Sequence, residues 1–431
     1  MAKIFPFRAL RYDPQRVPVE SVVTQPYDKI TPAMQERYYA ANPYNLVRII
    51  LGRDEASDSA AENVYTRARD RFQRWRREGV LTQDAEPSIY VYWQTFPAPG
   101  QSQCCQRRGF IALGKIEDYA AGVVFRHEQT LAKPKADRLN LLRATRAHFG
   151  QIFMLYRDPG EEVNALLAPR GEADVAVKDE YGVEHQLWRL SEPRVLDSLV
   201  RLMADKQLII ADGHHRYETA LNYRDERRAE AGRADEDAPY EWVMMTFINM
   251  DAPGLVVLPT HRVLFGLKEF SSSELLEKLR RYFEVTPLGQ ASAEQVGARL
   301  RAEATQTALC AVTRQGASLL AVKPGAAEEV LREYSPRQRV LDVAQLHAVV
   351  LEAVLGISRE DIGDQKHVLY LRDAEEAIAK VRSGQADVAF LMKPVRIEQM
   401  RDVAFAGEVM PQKSTDFYPK LLSGLTIYAL E

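Results

Sequence analysis

The sequence predicts an α+β fold divided into two domains. Short apolar runs rich in β-branched and aromatic residues alternate with charged, helix-forming stretches, yet they follow no strict strand–helix–strand rhythm. The chain has 431 residues, and at roughly 150 residues per domain this length allows two or three domains. Because the composition changes near Pro253-Gly254, we expect one domain over residues 1–252 and a second α+β domain over residues 253–431.

The first half contains several apolar runs that are typical of buried strands. Residues 88–96 and 109–116 are such runs, and the prolines and glycine between them predict an exposed turn that holds Cys104 and Cys105. Residues 61–78 are instead a charged stretch ended by a glycine, which predicts a surface helix. Further strands are predicted over residues 152–156, 208–211 and 242–248.

The second half mixes helices and strands in the same way. Leucine, tyrosine and phenylalanine recur at helical spacing over residues 275–283. Residues 308–312 and 318–322 flank a glycine-containing turn, which predicts a β-hairpin. Asp373 is typical of a helix N-cap, and residues 388–392 form an apolar run that predicts a strand.

Composition excludes several classes of protein. Lys and Arg number 57 against 60 Asp and Glu, so the net charge of −3 provides no overall positive field and disfavours nucleic acid as a partner. The 3 cysteines lack paired metal-ligand spacing, which argues against a disulfide framework or a structural zinc. The sequence contains neither a signal peptide nor a long apolar run, so we expect a cytoplasmic protein with reduced thiols and no membrane span.

The most informative segment is residues 208–220, with the sequence LIIADGHHRYETA. An apolar strand leads into a sharp turn at Gly213 and then a helix-forming stretch, and free N–H groups at a helix start attract anions. His214, His215 and Arg216 add donors, so phosphate is the favoured ligand. Asp212 would bind Mg²⁺ or accept a proton from an attacking hydroxyl. The alternative is that Asp212 only caps the helix.

A second group of polar residues begins at Arg126-His127-Glu128-Gln129-Thr130 and continues through Lys135 to Arg138. A His–Glu pair beside cations would orient a nucleotide or coordinate a metal. The alternative is a solvated charged turn that leads into a helix over residues 139–147. Spacing alone does not decide between the two interpretations.

Three loops offer further candidate groups. Asp28 follows a turn fixed by Pro26, and it would bind an amino group or assist as a base, although the sequence favours a plain turn residue. Glu20 is a nearby alternative acid. In the loop 410–420, Lys413, Ser414 and Thr415 would reach a phosphate, or the loop is structural. His261 and Arg262 follow an apolar strand and would contribute in the same way.

Other catalytic motifs lack essential residues. Gly109, Gly114 and Lys115 have P-loop spacing, but Ile116 stands where Ser or Thr would hold Mg²⁺, and the apolar residues between the glycines predict a strand. The sequence has no G-x-S-x-G, no H-E-x-x-H and no G-x-G-x-x-G after a strand. A serine hydrolase of that type, a zincin and a Rossmann oxidoreductase therefore have no support.

Nearly the whole chain resembles the bacterial family catalogued as domain of unknown function 1015. Separately, the pentapeptide at residues 212–216 after a strand resembles the signature of free-serine kinases of the ParB/sulfiredoxin-like fold. The family resemblance is carried by Pro26-Tyr27-Asp28, Arg126-His127-Glu128-Gln129-Thr130 with Lys135-Ala136-Asp137-Arg138, the segment 212–219, Leu258-Pro259-Thr260-His261-Arg262 and the segment 410–420.

These resemblances imply a ParB/sulfiredoxin-like catalytic core in the first half and a kinase that uses Mg²⁺ and ATP or ADP to phosphorylate free L-serine. Asp212 would activate the hydroxyl or hold Mg²⁺, and His214, His215 and Arg216 would bind the transferring phosphate. Together with the motifs and loops described above, the candidates for substrate or nucleotide binding are Asp28, Arg126, His127, Glu128, Thr130, Lys135, Arg138, Gly213, Thr219, His261, Arg262, Lys413, Ser414 and Thr415.

A second hypothesis is a ParB-like protein in which nucleotide switches a DNA-bound state. A third is a ligand-binding or regulatory protein without turnover. DNA binding calls for a basic face and often a helix-turn-helix, and neither is evident in the sequence.

Overall fold

A computed structural model describes residues 2–99, 104–129, 133–169, 171–232, 234–303 and 307–431, with side chains described throughout except at 133–135. The chain forms two compact units. Unit 1 comprises Met1–Arg126, Thr130–Val256 and Tyr418–Glu431, and unit 2 comprises His127–Gln129 and Val257–Phe417. The sequence-based division at residue 252 places the segment 418–431 with the second half, whereas in the structure this segment belongs to unit 1.

Unit 1 is built on a mixed sheet of nine strands, counted over the described residues. Most pairs are antiparallel, but Leu208–Asp212 runs parallel to Val124–Phe125, and Trp242–Asn249 runs parallel to Ile152–Tyr156. In sheet order the strands are Val124–Phe125, Leu208–Asp212, Ile152–Tyr156, Trp242–Asn249, Cys104–Lys115, Ile89–Pro97, Glu184–Leu190 and Val175–Lys178, with Ile4–Phe5 beside Cys104–Lys115. Two small pairs join Leu10–Tyr12 to Leu81–Gln83 and Ala147–His148 to Tyr428–Ala429.

Helices cover the unit 1 sheet, and its core consists of the apolar side chains that the strands turn towards them, such as Phe110, Met154, Ile210 and Phe247. The α-helices are Pro32–Ala41, Val47–Ile50, Val64–Arg77, Lys133–Thr145, Glu162–Leu166, Pro193–Met203 and His214–Ala231. Short 3₁₀ helices lie at Val19–Ser21, Tyr27–Lys29, Tyr119–Ala121 and Pro239–Glu241.

Unit 2 contains an antiparallel sheet that has six strands in the described residues. Its strands in sheet order are Phe283–Gly289, Gly316–Val322, Ala308–Thr313, Val388–Met392, His261–Leu264 and Val368–Leu371, and Val256–Leu258 pairs separately with Asp416–Tyr418. The α-helices are Ser272–Leu279, Ala293–Ala302, Pro336–Arg339, Asp342–Gln345, Arg359–Gly363, Ala374–Arg382 and Ile397–Phe405, and Leu346–Val354 is a π-helix.

The α+β class is confirmed, and most predicted elements are present. Residues Ala308–Thr313 and Gly316–Val322 form the expected hairpin, and the Asp373 side chain caps its helix by accepting from the N–H groups of Glu375 and Glu376. No helix in the described part of the chain has both the length and the apolar character needed to cross a bilayer.

Three predicted boundaries are wrong. Cys104 and Cys105 lie in a strand and not in a turn, because the hairpin pairing continues outward until Pro97 faces Cys104. The helix expected over 139–147 is Lys133–Thr145, and the helical spacing over 275–283 ends at Leu279, after which a strand starts at Phe283.

Candidate functional site

The turn after residue 211 lies at the end of a buried strand of unit 1. The strand Leu208–Asp212 is paired on both sides, and its register with Ile152–Tyr156 shifts between Ile210 and Asp212. Asp212 therefore lies opposite Phe153. Bulges of this kind re-aim side chains and are frequent next to active sites. The Asp212 side chain is 23% exposed, so its carboxylate is accessible although the strand behind it is buried.

Gly213 connects this strand to the helix His214–Ala231. Its φ of +93° lies in the left-handed region, where a side chain is strained. A Cβ at this position would also lie 3.0 Å from Nε and Nη2 of Arg216. Glycine therefore permits both the turn and the approach of Arg216, and the helix begins, with the positive end of its dipole, directly after Asp212.

Positive side chains surround Asp212. Nη2 of Arg216 lies 3.4 Å and Nζ of Lys420 lies 3.7 Å from its Oδ2. Burial alone would raise the pKa of Asp212, but the charges of Lys420, Arg216, Lys29 and His214 outweigh it and lower that pKa well below the ordinary value. Three permanent cations thus face one ionised carboxylate within the described residues. The surplus positive charge favours an anionic ligand.

Sequence reasoning missed two of these cations, Lys29 and Lys420. Lys29 lies at the end of the 3₁₀ helix Tyr27–Lys29, directly after the candidate Asp28, which is exposed. Lys420 belongs to the segment 418–431 and reaches Asp212 only through the fold. Lys420 is the last residue of the segment 410–420, which carries part of the family resemblance, and this was the signal that could have identified it.

A cavity in unit 1 gathers three predicted residues: Arg138, Arg216 and Thr219. The Arg138 guanidinium lies 4.1 Å from the ring centre of Tyr27, and its Nη1 donates to the carbonyl of Ile50 at 2.6 Å. Thr219 Oγ1 is buried and has no hydrogen-bond partner among the described residues. The cavity therefore has a cationic edge and a polar group available to a ligand. Its remaining lining residues include Leu141, Leu142, Phe149 and Gly150.

His127 and Glu128 lie in unit 2 and contact the loop that contains Lys413, Ser414 and Thr415. The Glu128 carboxylate accepts from the backbone N–H of Lys413 at 2.6 Å and of Ser414 at 3.2 Å. His127 Nε2 lies 2.7 Å from Thr415 Oγ1. Burial raises the pKa of Glu128. These contacts fix the conformation of the loop, and the binding roles expected of its residues stay predictions.

Arg262 and His261 also hold polypeptide in unit 2. Arg262 is fully buried, and its Nη2 donates to the carbonyls of Gln412 and Lys413, each at 3.1 Å. His261 Nδ1 accepts from the N–H of Met392 at 3.2 Å, and burial lowers the pKa of His261 to about 4. Both side chains therefore brace the loop and the neighbouring strand.

The remaining candidates lie elsewhere on their units. Arg126 is exposed, with its guanidinium carbon 5.2 Å from the ring centre of Tyr119, and Glu20 is exposed in the 3₁₀ helix Val19–Ser21. His215 is half-buried in the first turn of its helix. Thr130 and the side chain of Lys135 lie outside the described residues.

The side chains near Asp212 do not fit a Mg²⁺ ion held by the protein. Across the described residues, no group of three or more His, Cys, Asp or Glu side chains is arranged to bind a metal. Proteins commonly hold magnesium through one or two carboxylates and several waters, but the charged neighbours of Asp212 are cations that repel a divalent ion. We therefore assign no step to a metal at this residue.

Comparison with known proteins identifies a family and several distant structural relatives. The family model described as "Protein of unknown function (DUF1015)" matches residues 4–344. No curated protein matches the chain.

Three solved structures illustrate the distant similarity. A conserved hypothetical protein from Pyrococcus furiosus is 15% identical, with 71% of this chain and 92% of that chain covered and a TM-score of 0.34. A free serine kinase in complex with AMP is 16% identical, with coverages of 70% and 89% and a TM-score of 0.34. SbnI with C-terminal truncation from Staphylococcus aureus is 12% identical, with coverages of 74% and 87% and a TM-score of 0.38. At these values the similarity assigns neither an activity nor a site.

Proposed function

Since the chain belongs to the DUF1015 family, whose description assigns no activity, we propose its function from its own residues: a kinase that transfers a phosphoryl group from a nucleotide to the hydroxyl of free L-serine. One observation carries the proposal. An ionised carboxylate, Asp212, lies within a surplus of cations at the start of a long helix. The ParB/sulfiredoxin-like core stays a prediction from the motif.

The cations suit the charge of a phosphoryl group. Arg216 and Lys420 approach Asp212 from different elements, the helix and the segment 418–431. Phosphoryl transfer depends mainly on positioning and on stabilising charge on the equatorial oxygens, and cations in a partly buried site do both. The start of the helix His214–Ala231 adds the positive end of its dipole to the same site.

Asp212 suits the acceptor hydroxyl. The serine oxygen attacks the terminal phosphorus of the nucleotide, an O–P bond forms, the bond from that phosphorus to the bridging oxygen breaks, and the hydroxyl proton passes to Asp212. The low pKa of Asp212 makes it a weak base that is ionised at neutral pH. In a loose transition state the proton moves late, so orienting the hydroxyl is the larger part of its role.

The finer parts of the proposal rest on the motif resemblance at residues 212–216. They are serine as the acceptor, ATP or ADP as the donor, and the cytoplasm, where nucleotides are abundant, as the location. The kinase hypothesis takes precedence over the DNA-bound switch, since no described feature favours the switch.

The test is phosphorus NMR on the purified protein with Mg²⁺, either ATP or ADP, and a panel of free amino acids and small alcohols. We expect a donor-dependent phosphoserine signal that Asp212→Asn abolishes. A signal with another alcohol and not with serine would replace the acceptor but keep the kinase. Silence across the panel, with nucleotide bound in a parallel titration, would favour a binding protein without turnover.

Asp158→Asn is the matched control. Asp158 is also a carboxylate beside a lysine, with Lys206 Nζ 3.9 Å away, and it is 4% exposed. It follows the strand Ile152–Tyr156 at the end away from Phe153, the residue opposite Asp212. A general loss of stability would lower activity in both variants, whereas a role in transfer would lower it in Asp212→Asn alone.

A further inference from the structure

Three polar side chains form a row across the unit 1 sheet. His185 faces Gln94 in the register of two neighbouring strands, and Gln94 faces Arg107 in the next pair. Residues opposite one another in adjacent strands project to the same face, so the three side chains are contiguous. Each is at most 1% exposed. Buried polar groups cost free energy unless they are hydrogen-bonded, so this row needs partners.

The row is bonded internally and fixed at one end by a carboxylate. Arg107 Nε donates to Gln94 Oε1 at 3.0 Å, and Gln94 Nε2 lies 3.4 Å from Nδ1 of His185. His185 Nε2 lies 3.2 Å from Oδ2 of Asp179. The same Asp179 oxygen accepts from Gln25 Nε2 at 3.0 Å, four residues before Lys29. The row is therefore tied to the segment that carries one of the cations near Asp212.

At its other side the row binds the segment that carries Lys420. Gln94 Nε2 donates to the carbonyl of Lys420 at 2.9 Å. Arg107 donates to the carbonyls of Tyr418 at 3.2 Å and Pro419 at 2.5 Å. Three consecutive carbonyls are thus held by two side chains of the sheet.

Arg107 also connects this segment to the strand that pairs with Asp212. Its guanidinium carbon lies 4.7 Å from the ring centre of Phe153, the residue that faces Asp212 in the sheet. The backbone of Lys420 is therefore fixed relative to the same strands that fix Asp212, and Lys420 Nζ, with a side chain only 8% exposed, lies 3.7 Å from Asp212 Oδ2.

We propose that the buried row His185–Gln94–Arg107 is a positioning device that fixes the Lys420 ammonium beside Asp212 by holding the carbonyls of residues 418–420. The three are positioning residues, because they act through Lys420. Their relevance to phosphoryl transfer rests on the proposed function. The placement of Lys420 beside Asp212 does not depend on that function.

The test is a titration of the Asp212 carboxyl by ¹³C NMR in the full chain, with Asp212→Asn to assign the signal. Lys420, Arg216, Lys29, His214, Arg107 and Tyr27 all interact electrostatically with this carboxylate. Lys420→Met removes one cation, so the carboxyl should titrate at a higher pH, by about 1 pH unit or more. Gln94→Met replaces one neutral side chain by another of similar length, and it should give part of that shift by releasing Lys420.

A double variant separates Lys420 from the other cations. If Gln94→Met acts by moving Lys420, it should cause no further shift when added to Lys420→Met. A further shift of similar size in the double variant would overturn the proposal, as would an unchanged titration in Gln94→Met alone. If Gln94→Met fails to fold, Tyr92→Phe is the second variant, because Tyr92 Oη lies 2.6 Å from Nδ1 of His185 and accepts from the N–H of Leu422 at 3.5 Å.

Asn249→Leu is the matched control for loss of a buried amide. Asn249 is 1% exposed, and it bridges the backbone of Asp158 by donating to its carbonyl at 2.7 Å and accepting from its N–H at 3.0 Å. The Asn249→Leu variant should leave the titration of the Asp212 carboxyl unchanged. The titration needs no turnover, so a protein that shows the shifts without phosphorylating anything would overturn the proposed function and support the positioning role.

Discussion

Asp212 in unit 1 and Glu128 in unit 2 are both carboxylates from the motifs that attract attention in the sequence, yet their surroundings are opposite. Asp212 faces the charged side chains of Arg216 and Lys420, and its pKa is lowered. Glu128 accepts from backbone N–H groups of Lys413 and Ser414, and burial raises its pKa.

The difference shows what separates a carboxylate that holds a loop from one that we propose for chemistry. Backbone N–H groups are fixed donors that belong to one loop conformation, so a carboxylate bound to them holds that loop in place. Lysine and arginine side chains carry full charge and can turn to a ligand, so several of them around one carboxylate can also bind an anion, as we propose for Asp212. The partners of a carboxylate therefore indicate its role better than the fact that it is an Asp or a Glu.

The largest expected effect is on turnover. Asp212→Asn should lower the rate of phosphoryl transfer by about 10²–10⁴-fold, since the amide cannot accept the hydroxyl proton and orients the acceptor poorly. Initial rates with saturating donor measure this loss. A variant that keeps more than a tenth of the wild-type rate would remove Asp212 from the reaction and with it the contrast with Glu128.

Glu128→Gln should instead act on stability. The glutamine offers one carbonyl oxygen, and its NH₂ group faces a backbone N–H, so a buried donor at Lys413 or Ser414 loses its acceptor. We expect a loss of about 1–3 kcal/mol in the free energy of unfolding, measured by urea denaturation. Turnover per folded molecule should change little. A rate loss as large as that of Asp212→Asn would mean that Glu128 contacts substrate.

Substitutions of the two glycines at the ends of the helix His214–Ala231 test whether the turn at Gly213 matters for binding the nucleotide. Gly213→Ala and Gly232→Ala both place a Cβ at positive φ, at a cost of about 1–2 kcal/mol each. Only at Gly213 does the new Cβ meet Arg216, at 3.0 Å, whereas at Gly232 nothing lies within 4 Å. Calorimetric titration with nucleotide should therefore show weaker binding for Gly213→Ala alone. Equal affinities in the two variants would show that Arg216 does not bind the anion.

The smallest effect is the pH dependence of stability, which has opposite signs at the two carboxylates. The pKa of Asp212 is lower in the folded state, so its contribution is present above about pH 4 and is lost as pH falls through the folded pKa. The pKa of Glu128 is higher in the folded state, so its contribution is present below about pH 4.3 and is lost as pH rises through the folded pKa.

Urea denaturation over a pH series measures both slopes. The stability difference between the wild type and Asp212→Asn should shrink below about pH 4, and the difference from Glu128→Gln should shrink above about pH 4.3. Slopes of the same sign would contradict the opposite directions of the two pKa shifts.

The fold class and the turn at Asp212 could be predicted because both depend on short-range patterns. Apolar runs become buried strands, and Gly213 between a strand and a helix former has few alternatives to a tight turn. The P-loop spacing was rightly rejected for the same reason, since Gly109 and Gly114 lie inside the strand Cys104–Lys115.

Which residues lie together at the site was harder to predict from the sequence, because this depends on contacts between segments that are distant in the chain. The segment 410–420 singles out Lys420 but does not pair it with Asp212, and the alternation of apolar residues does not say that Gln94 and Arg107 face one another. The role of Glu128 likewise depends on N–H groups at residues 413 and 414, whose positions are fixed only in the folded state.

The position of Lys420 also bears on how the protein is made. Most of unit 2 lies between Asp212 and Lys420 in chain order, so the lysine emerges roughly 200 residues after the carboxylate that it accompanies. At about 5–20 residues per second, a nascent chain spends on the order of 10–40 s with Asp212 already synthesised and its lysine neighbour not yet made. The lysine neighbour of Asp212 is thus added late in synthesis, and a ribosome-bound chain that ends before residue 418 does not yet contain it.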